Sequence, residues 1–175
     1  MALLARTNEE AHLYMDMYPC DCGGQDGARD SAVGELLVRY TCVCRTCGRT
    51  RDFEFRQPDA PVRPVDGGWA VGPVPSELLD AGEWLWVADM FGGAPAEPAG
   101  LSPAELVQAR EDLAAAGAAV DEVLKFVPPD GKEVPAEAFW TERGRELRAA
   151  APSRFLRGRL EAVRDSYRAV RDGLS

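Results

Sequence analysis

Apolar side chains fall on every second position in two short stretches of the first sixty residues. In "ELLVRYTCV" (35–43) Leu36, Val38, Tyr40 and Cys42 share one parity, and in "GRTRDFEFR" (48–56) Phe53 and Phe55 alternate with Asp52, Glu54 and Arg56. A period of two sends successive side chains to opposite faces of an extended backbone. Both stretches are therefore predicted strands, joined through a cysteine-bearing turn into a β-hairpin. Ahead of them, "TNEEAHLYMDM" sets Thr7 three residues before Glu10, which predicts a capped short helix over about residues 8–17, stopped by Pro19. The intervening "CDCGGQDGARDSAVG" (20–34) is rich in Gly and Asp and reads as loop.

Residues 57–75 hold five prolines and three glycines, too many for regular structure. They mark the boundary between an N-terminal module, residues 1–56, and a helical remainder, residues 76–175. Trp69 and the valines around it favour a loop packed on the core over a free linker, so one continuous domain is also open. Beyond it, Ser76 is placed to cap "SELLDA", and "EWLWVADMF" (83–91) is apolar on most sides through Trp84, Leu85, Trp86, Val87 and Phe91, as a central buried helix would be. Ser102 as N-cap and Pro103 in the first turn open a long helix to about Phe126. Along it Leu106, Leu113 and Val120 repeat every seven residues, with Ala109, Ala116 and Val123 between them. A shorter helix around residues 136–150 carries Phe139 and Trp140, and Ser153 is placed to cap the last one. There Leu156, Leu160, Val163, Tyr167, Val170 and Leu174 alternate spacings of four and three, a single apolar stripe. Both stripes read as helix-to-helix core packing. The expected fold is α+β: an N-terminal β-hairpin packed on a predominantly helical body of four to five helices.

Composition adds little to that picture. With 46% apolar and 28% charged residues in a 175-residue chain, a compact core is affordable and no disorder is signalled. No run approaches ~18 uninterrupted apolar residues, and "MALLARTNEE" turns polar too early for a signal peptide, so no membrane is expected and the expected compartment is cytoplasmic. Two lysines against eighteen arginines, with abundant Ala, Gly and Pro, is the usage of a GC-rich bacterial gene.

Charge changes it more. The net charge is −9, and residues 57–140 carry fifteen acidic residues against four basic ones. Such a chain repels a phosphate backbone and suits a basic protein partner. The exception is the predicted hairpin, where Arg39, Arg45, Arg49, Arg51 and Arg56 gather.

The chemistry lies in five cysteines. In a reducing compartment they stay thiols or bind metal, and an odd count does not close a disulfide framework. Cys20 and Cys22 precede Gly23, and Cys44 and Cys47 precede Gly48, with twenty-one residues between the two pairs. A glycine after the second cysteine lets the backbone curl so that amide N–H groups point at the sulfurs, and a tetrahedral metal takes two such pairs from facing turns. Over residues 18–56 this arrangement resembles the zinc-ribbon class of small metal modules. The resemblance implies a structural Zn2+ held by Cys20, Cys22, Cys44 and Cys47. The first pair is one residue tighter than usual, which keeps Cys42 open as a substitute ligand for Cys20 or Cys44. On parity Cys42 is a small buried apolar residue of the strand, and a reactive thiol is the third reading. His12, the one histidine, reads as an ordinary helix residue although a ligand role is sterically open to it.

No catalytic set accompanies these residues. Four thiolates leave zinc no open position for water, and one histidine provides no histidine pair. "PDGKEVP" lacks the glycine and hydroxyl of a phosphate loop, and His12 lacks the glutamate partner of a zinc deaminase. The expected function is a non-catalytic, zinc-stabilised protein-binding module, with Arg45, Arg49 and Arg51 facing the partner. Its acidity resembles, in general character, the antitoxin and immunity proteins that neutralise a basic target. The alternatives are a nucleic-acid- or polymerase-associated zinc ribbon, with Phe53 and Phe55 as stacking faces, and a carboxylate-based hydrolase.

Overall fold

The computed structural model describes residues 2–34, 36–59, 73–93 and 100–174. Most of the Pro/Gly-rich segment, including Trp69 and its expected packing, lies outside them. The described residues form an α+β fold that divides into two compact units, one built from residues 2–59 with Ser76–Leu78, the other from residues 73–75 and Leu79 onwards.

The first unit is a four-stranded sheet with one helix. Strand β1 (Leu3–Leu4) is followed by α1 (Asn8–Met17), β2 (Asp26–Val33), β3 (Leu37–Cys44) and β4 (Thr50–Arg56). The spatial order is β1-β4-β3-β2, with β1 parallel to β4 and the other pairs antiparallel. The hairpin of β3 and β4 stands where the alternation put it, but the sheet has two further strands. Strand β2 occupies the segment read as loop. Its residues, "DGARDSAV", are small, polar and mostly exposed, so no alternation announces it. It exists because β3 offers it a hydrogen-bonding edge, and its register slips between Asp26 and Arg29. Gly27 sits at that slip, where an added Cβ would stand 3.2 Å from the Val43 carbonyl oxygen.

Val38, Tyr40 and Cys42 are buried on one face of β3, joined by Phe55 of β4. Helix α1 covers this face. Tyr14 meets Phe55 edge-on at 5.7 Å, His12 meets Tyr40 edge-on at 5.3 Å, and Met15 is buried. Thr7 caps the helix as expected, its Oγ1 accepting from the Glu10 N–H at 3.2 Å. Glu10 does not return to Thr7 to close a capping box. Its carboxylate takes the Arg6 N–H (2.8 Å), the Arg6 guanidinium (2.6 Å) and the Ser76 hydroxyl (2.6 Å), all three residues buried. A buried charge pair is stable only with its remaining lone pairs satisfied, and Ser76 supplies that bond. Ser76 also accepts from the Leu78 N–H, so it closes a turn and caps no helix, contrary to the expectation.

The described residues of the second unit form four α-helices: α2 (Ala81–Phe91), α3 (Pro103–Leu124), α4 (Glu142–Ala150) and α5 (Arg157–Gly173). Asp80 is the cap of α2 that the sequence reading missed. Its carboxylate accepts from the Glu83 N–H at 2.9 Å, and Glu83 reaches back to the Asp80 N–H at 3.2 Å. The same carboxylate accepts the backbone N–H and hydroxyl of Thr141, both at 2.8 Å, and Thr141 in turn caps α4. One buried aspartate thus fixes the starts of two helices. Their backbones nearly touch: a Cβ on Gly82 would lie 2.4 Å from the Gly144 Cα.

Helix α3 begins at Ser102 with a reciprocal capping box to Glu105 and a proline in its first turn. The Ser102 hydroxyl and N–H hold the Glu105 carboxyl below the usual carboxylate range. Ala109, Leu113, Ala116, Val120 and Val123 are buried as the heptad stripe requires, with Leu106 partly buried. The predicted 136–150 helix is instead a single 3-10 turn (Ala136–Ala138), a break at Phe139 and Trp140, and then α4. Ser153 does not cap α5. It lies in a 3-10 turn (Pro152–Phe155), and α5 starts without a side-chain cap. Of the stripe along α5 and its two flanking leucines, Leu160 and Leu174 are buried while Leu156 and Val170 stay exposed.

Candidate metal centre

Two turns of the first unit bring four sulfurs together. The first turn follows α1: the Gly23 N–H donates to the Cys20 carbonyl at 2.7 Å, and Gly23 has φ +77°. The second joins β3 to β4: the Gly48 N–H donates to the Cys44 carbonyl at 3.0 Å, with Gly48 at φ +71°. A left-handed residue reverses the chain within one position, and glycine adopts it without steric cost. Gly24 has a different task. A Cβ there would stand 2.4 Å from Thr46 Oγ1 and 2.8 Å from Cys44 Sγ, so the two turns can close on each other only if residue 24 has no side chain.

The Sγ atoms of Cys20, Cys22, Cys44 and Cys47 all lie within 4.8 Å of one another. Two pairs cross between the turns, Cys20 to Cys47 at 3.6 Å and Cys22 to Cys44 at 3.5 Å. A disulfide needs about 2.05 Å, and none is present among these cysteines. Tetrahedral coordination at about 2.3 Å per thiolate sets sulfurs roughly 3.8 Å apart, close to the two crossing pairs and inside the 4.8 Å that bounds all four. The cluster could therefore hold one metal ion. Cys20 and Cys44 are buried, whereas Cys22 and Cys47 are exposed.

The surrounding dipoles favour thiolates. The N–H groups of Cys47 and Thr46 point at the Cys44 sulfur and lower its pKa to about 6. The Gly24 N–H draws the Cys22 thiol the same way, but the neighbouring thiols Cys47 and Cys44 outweigh it and push Cys22 up to about 12. Four sulfurs this close cannot all carry charge without a cation among them.

The remaining candidates fall outside the cluster. Cys42 is fully buried on the covered face of β3, its sulfur 4.0 Å from that of Met15, and burial pushes its thiol up. His12 meets Tyr40 edge-on, with Nδ1 3.4 Å from a nitrogen of Arg29. Arg51 points inward: it donates to the Tyr18 carbonyl, pairs with the buried Asp26 at 3.3 Å and lies 4.7 Å over the Phe53 ring. Tyr18 and Asp26 bracket the first cysteine turn, so Arg51 clamps its entry and its exit. Parity alone would have placed Arg51 on the face of Phe53 and Phe55. Arg49 pairs with Asp21 beside the cluster, Arg39 with Glu54 across the strands, and Arg45 is exposed.

No protein-family model, curated protein or solved structure matches the chain. The four-cysteine cluster is consistent with a metal-binding module, and the geometry carries that statement by itself. Among the described residues no helix is long and apolar enough to cross a membrane.

Proposed function

We propose that the protein is a non-catalytic protein-binding module whose sheet is shaped by a structural zinc ion on Cys20, Cys22, Cys44 and Cys47. The all-sulfur donor set at tetrahedral spacing supports zinc, which takes thiolates readily and imposes no further geometry. It also supports a structural role, because four protein ligands leave no position for a reacting water.

The observation that carries the partner class is what the hairpin leaves exposed. Phe53 and Phe55, the stacking faces a nucleic acid would use, lie under α1, and Arg39, Arg49, Arg51 and Arg56 each pair with an acid. A phosphate backbone draws its affinity from many free cations, and of the hairpin arginines Arg45 alone lacks an acidic partner among the described residues. At the β2–β3 turn, by contrast, Val33 is 71%, Leu36 66% and Leu37 43% exposed. Three large aliphatic side chains on one tight turn, closed by the Gly34 N–H to the Leu37 carbonyl at 2.8 Å, suit a protein surface. The net charge of −9 suits a basic one, the kind of target that antitoxin and immunity proteins neutralise.

The test compares immobilised wild type with Leu36→Asp in native lysate over a salt series. The proposal expects a protein retained by wild type across the series and lost by the variant. Retention of DNA or RNA at low salt, falling steeply as salt rises, would contradict it.

A further inference from the structure

The second unit carries a depression that neither the metal nor the exposed turn explains. It holds about 410 Å3 between the 3-10 turn at Ala136–Ala138, helix α4 and the 3-10 turn at Pro152–Phe155. Ala136, Phe139, Ala149 and Pro152 give it an apolar lining, and Arg145 and Arg148 complete it. Most arginines among the described residues stand in ion pairs, Arg143 with Glu83 and Arg154 with Asp89 among them. Arg145 and Arg148 have no carboxylate partner among the described residues. The Arg145 guanidinium spends one N–H on the Trp140 carbonyl at 2.6 Å, and that of Arg148 lies 4.7 Å over the Phe139 ring.

Both guanidinium groups are thereby held without being satisfied. A guanidinium carbon 4.7 Å over a ring is held against it, and among the described residues the Arg148 N–H groups meet no carboxylate, so they stay available to a planar, two-oxygen acceptor. Phe139 is itself immobilised, buried and edge-on to Phe155 at 4.7 Å. The result is a pre-organised pair of cations beside apolar surface, which asks for a carboxylate and an apolar group a few bonds apart. An aspartate or glutamate side chain offers the charge without the apolar group. A chain terminus ending in an apolar residue offers both on one Cα. The depression is open to solvent, so it buries one end residue of a chain better than it encloses a free small molecule. We propose that this depression binds the C-terminal carboxylate and apolar last side chain of a partner polypeptide. The site is independent of the metal centre and of the β2–β3 turn, so it stands or falls separately from them.

The test titrates the intact, metal-loaded protein with N-acetyl-Gly-Ser-Gly-Phe as free acid, with its C-terminal amide, and with N-acetylphenylalanine, followed by amide NMR shifts. The expected result is saturable binding of the acid, with shifts centred on Phe139, Arg145 and Arg148, and affinity lower by about tenfold or more for the amide. N-acetylphenylalanine should bind more weakly than the peptide. Arg148→Lys, which keeps the charge but not the planar fork, should weaken the acid selectively. Arg145→Gln alters an exposed residue and should do the same with unchanged thermal stability, which guards against misfolding in the first variant. Equal binding of acid and amide, shifts elsewhere, or affinity untouched by both substitutions overturns the proposal. N-acetylphenylalanine binding as tightly as the peptide also overturns it, since the site would then be one for a small carboxylate.

Discussion

Gly24 shows how a single position decides whether the cysteines meet. Its missing Cβ is the space in which Thr46 and the Cys44 sulfur sit. Gly24→Ala should force the two turns apart and release metal to a chelator faster than wild type, with the helical circular dichroism unchanged. Arg51 acts at one remove, through Tyr18 and Asp26, on the turn that carries Cys20 and Cys22. Partners that orient metal ligands typically matter about 10–100-fold in affinity, and Arg51→Ala should fall in that range by competition with a chromogenic chelator. Cys42→Ala should leave affinity unchanged, because its sulfur faces Met15. Proton competition gives a further outcome. In the metal-free cluster Cys22, pushed up to about 12, holds its proton at neutral pH, while Cys44, lowered to about 6, has mostly lost its own. Metal entry must displace the Cys22 proton, so affinity should rise with pH between roughly 6 and 8 and fall on acidification. A pH-independent affinity over that window would contradict the thiolate assignment.

At the scale of elements, the starts of α2 and α4 depend on each other through Asp80. Gly144→Ala would drive a Cβ to 2.2 Å from the Asp80 carboxylate, so it should cost about 1–3 kcal/mol and lower the denaturation midpoint. A neutral effect would mean that the helices separate easily. The elements also show what a sequence discloses. Period-two alternation located β3 and β4, and Thr7 and Ser102 located the starts of α1 and α3, because these signals are local and agree with the packing. Strand β2 was hidden because its side chains face solvent and its pairing comes from a neighbouring strand. Ser76 and Ser153 resemble caps but spend themselves in turns, and the cap that matters, Asp80 with Glu83, was overlooked beside the nearby serine. The four clustered cysteines were legible from spacing, whereas the role of Gly24 and the inward clamp of Arg51 are tertiary facts. The depression under Arg145 and Arg148 lay inside a segment read as one unbroken helix.

For the whole molecule, the two units differ in what holds them. The first unit rests on one small apolar face under α1, with mostly exposed β2 at one edge of the sheet and two-residue β1 at the other, and the β3–β4 hairpin by itself would be marginal in water. Structural zinc in small modules supplies about 10–16 kcal/mol of apparent binding free energy, enough to decide whether such a sheet forms. The helical unit has its own buried Trp84, Leu85, Leu113, Val120 and Phe155. Chelation should therefore abolish the amide dispersion of residues in β2, β3 and β4 while most helical circular dichroism persists. Loss of both in one cooperative step would show a single folding unit.

X-ray absorption at the zinc K-edge of the purified protein reads the metal and its ligands together. The expected result is one zinc per chain with four sulfur ligands at about 2.3 Å and no nitrogen or oxygen bound to it, unchanged in Cys42→Ala and degraded in Cys47→Ser. Fewer than four sulfurs, a mixed ligand set, or a site emptied by Cys42→Ala would contradict it.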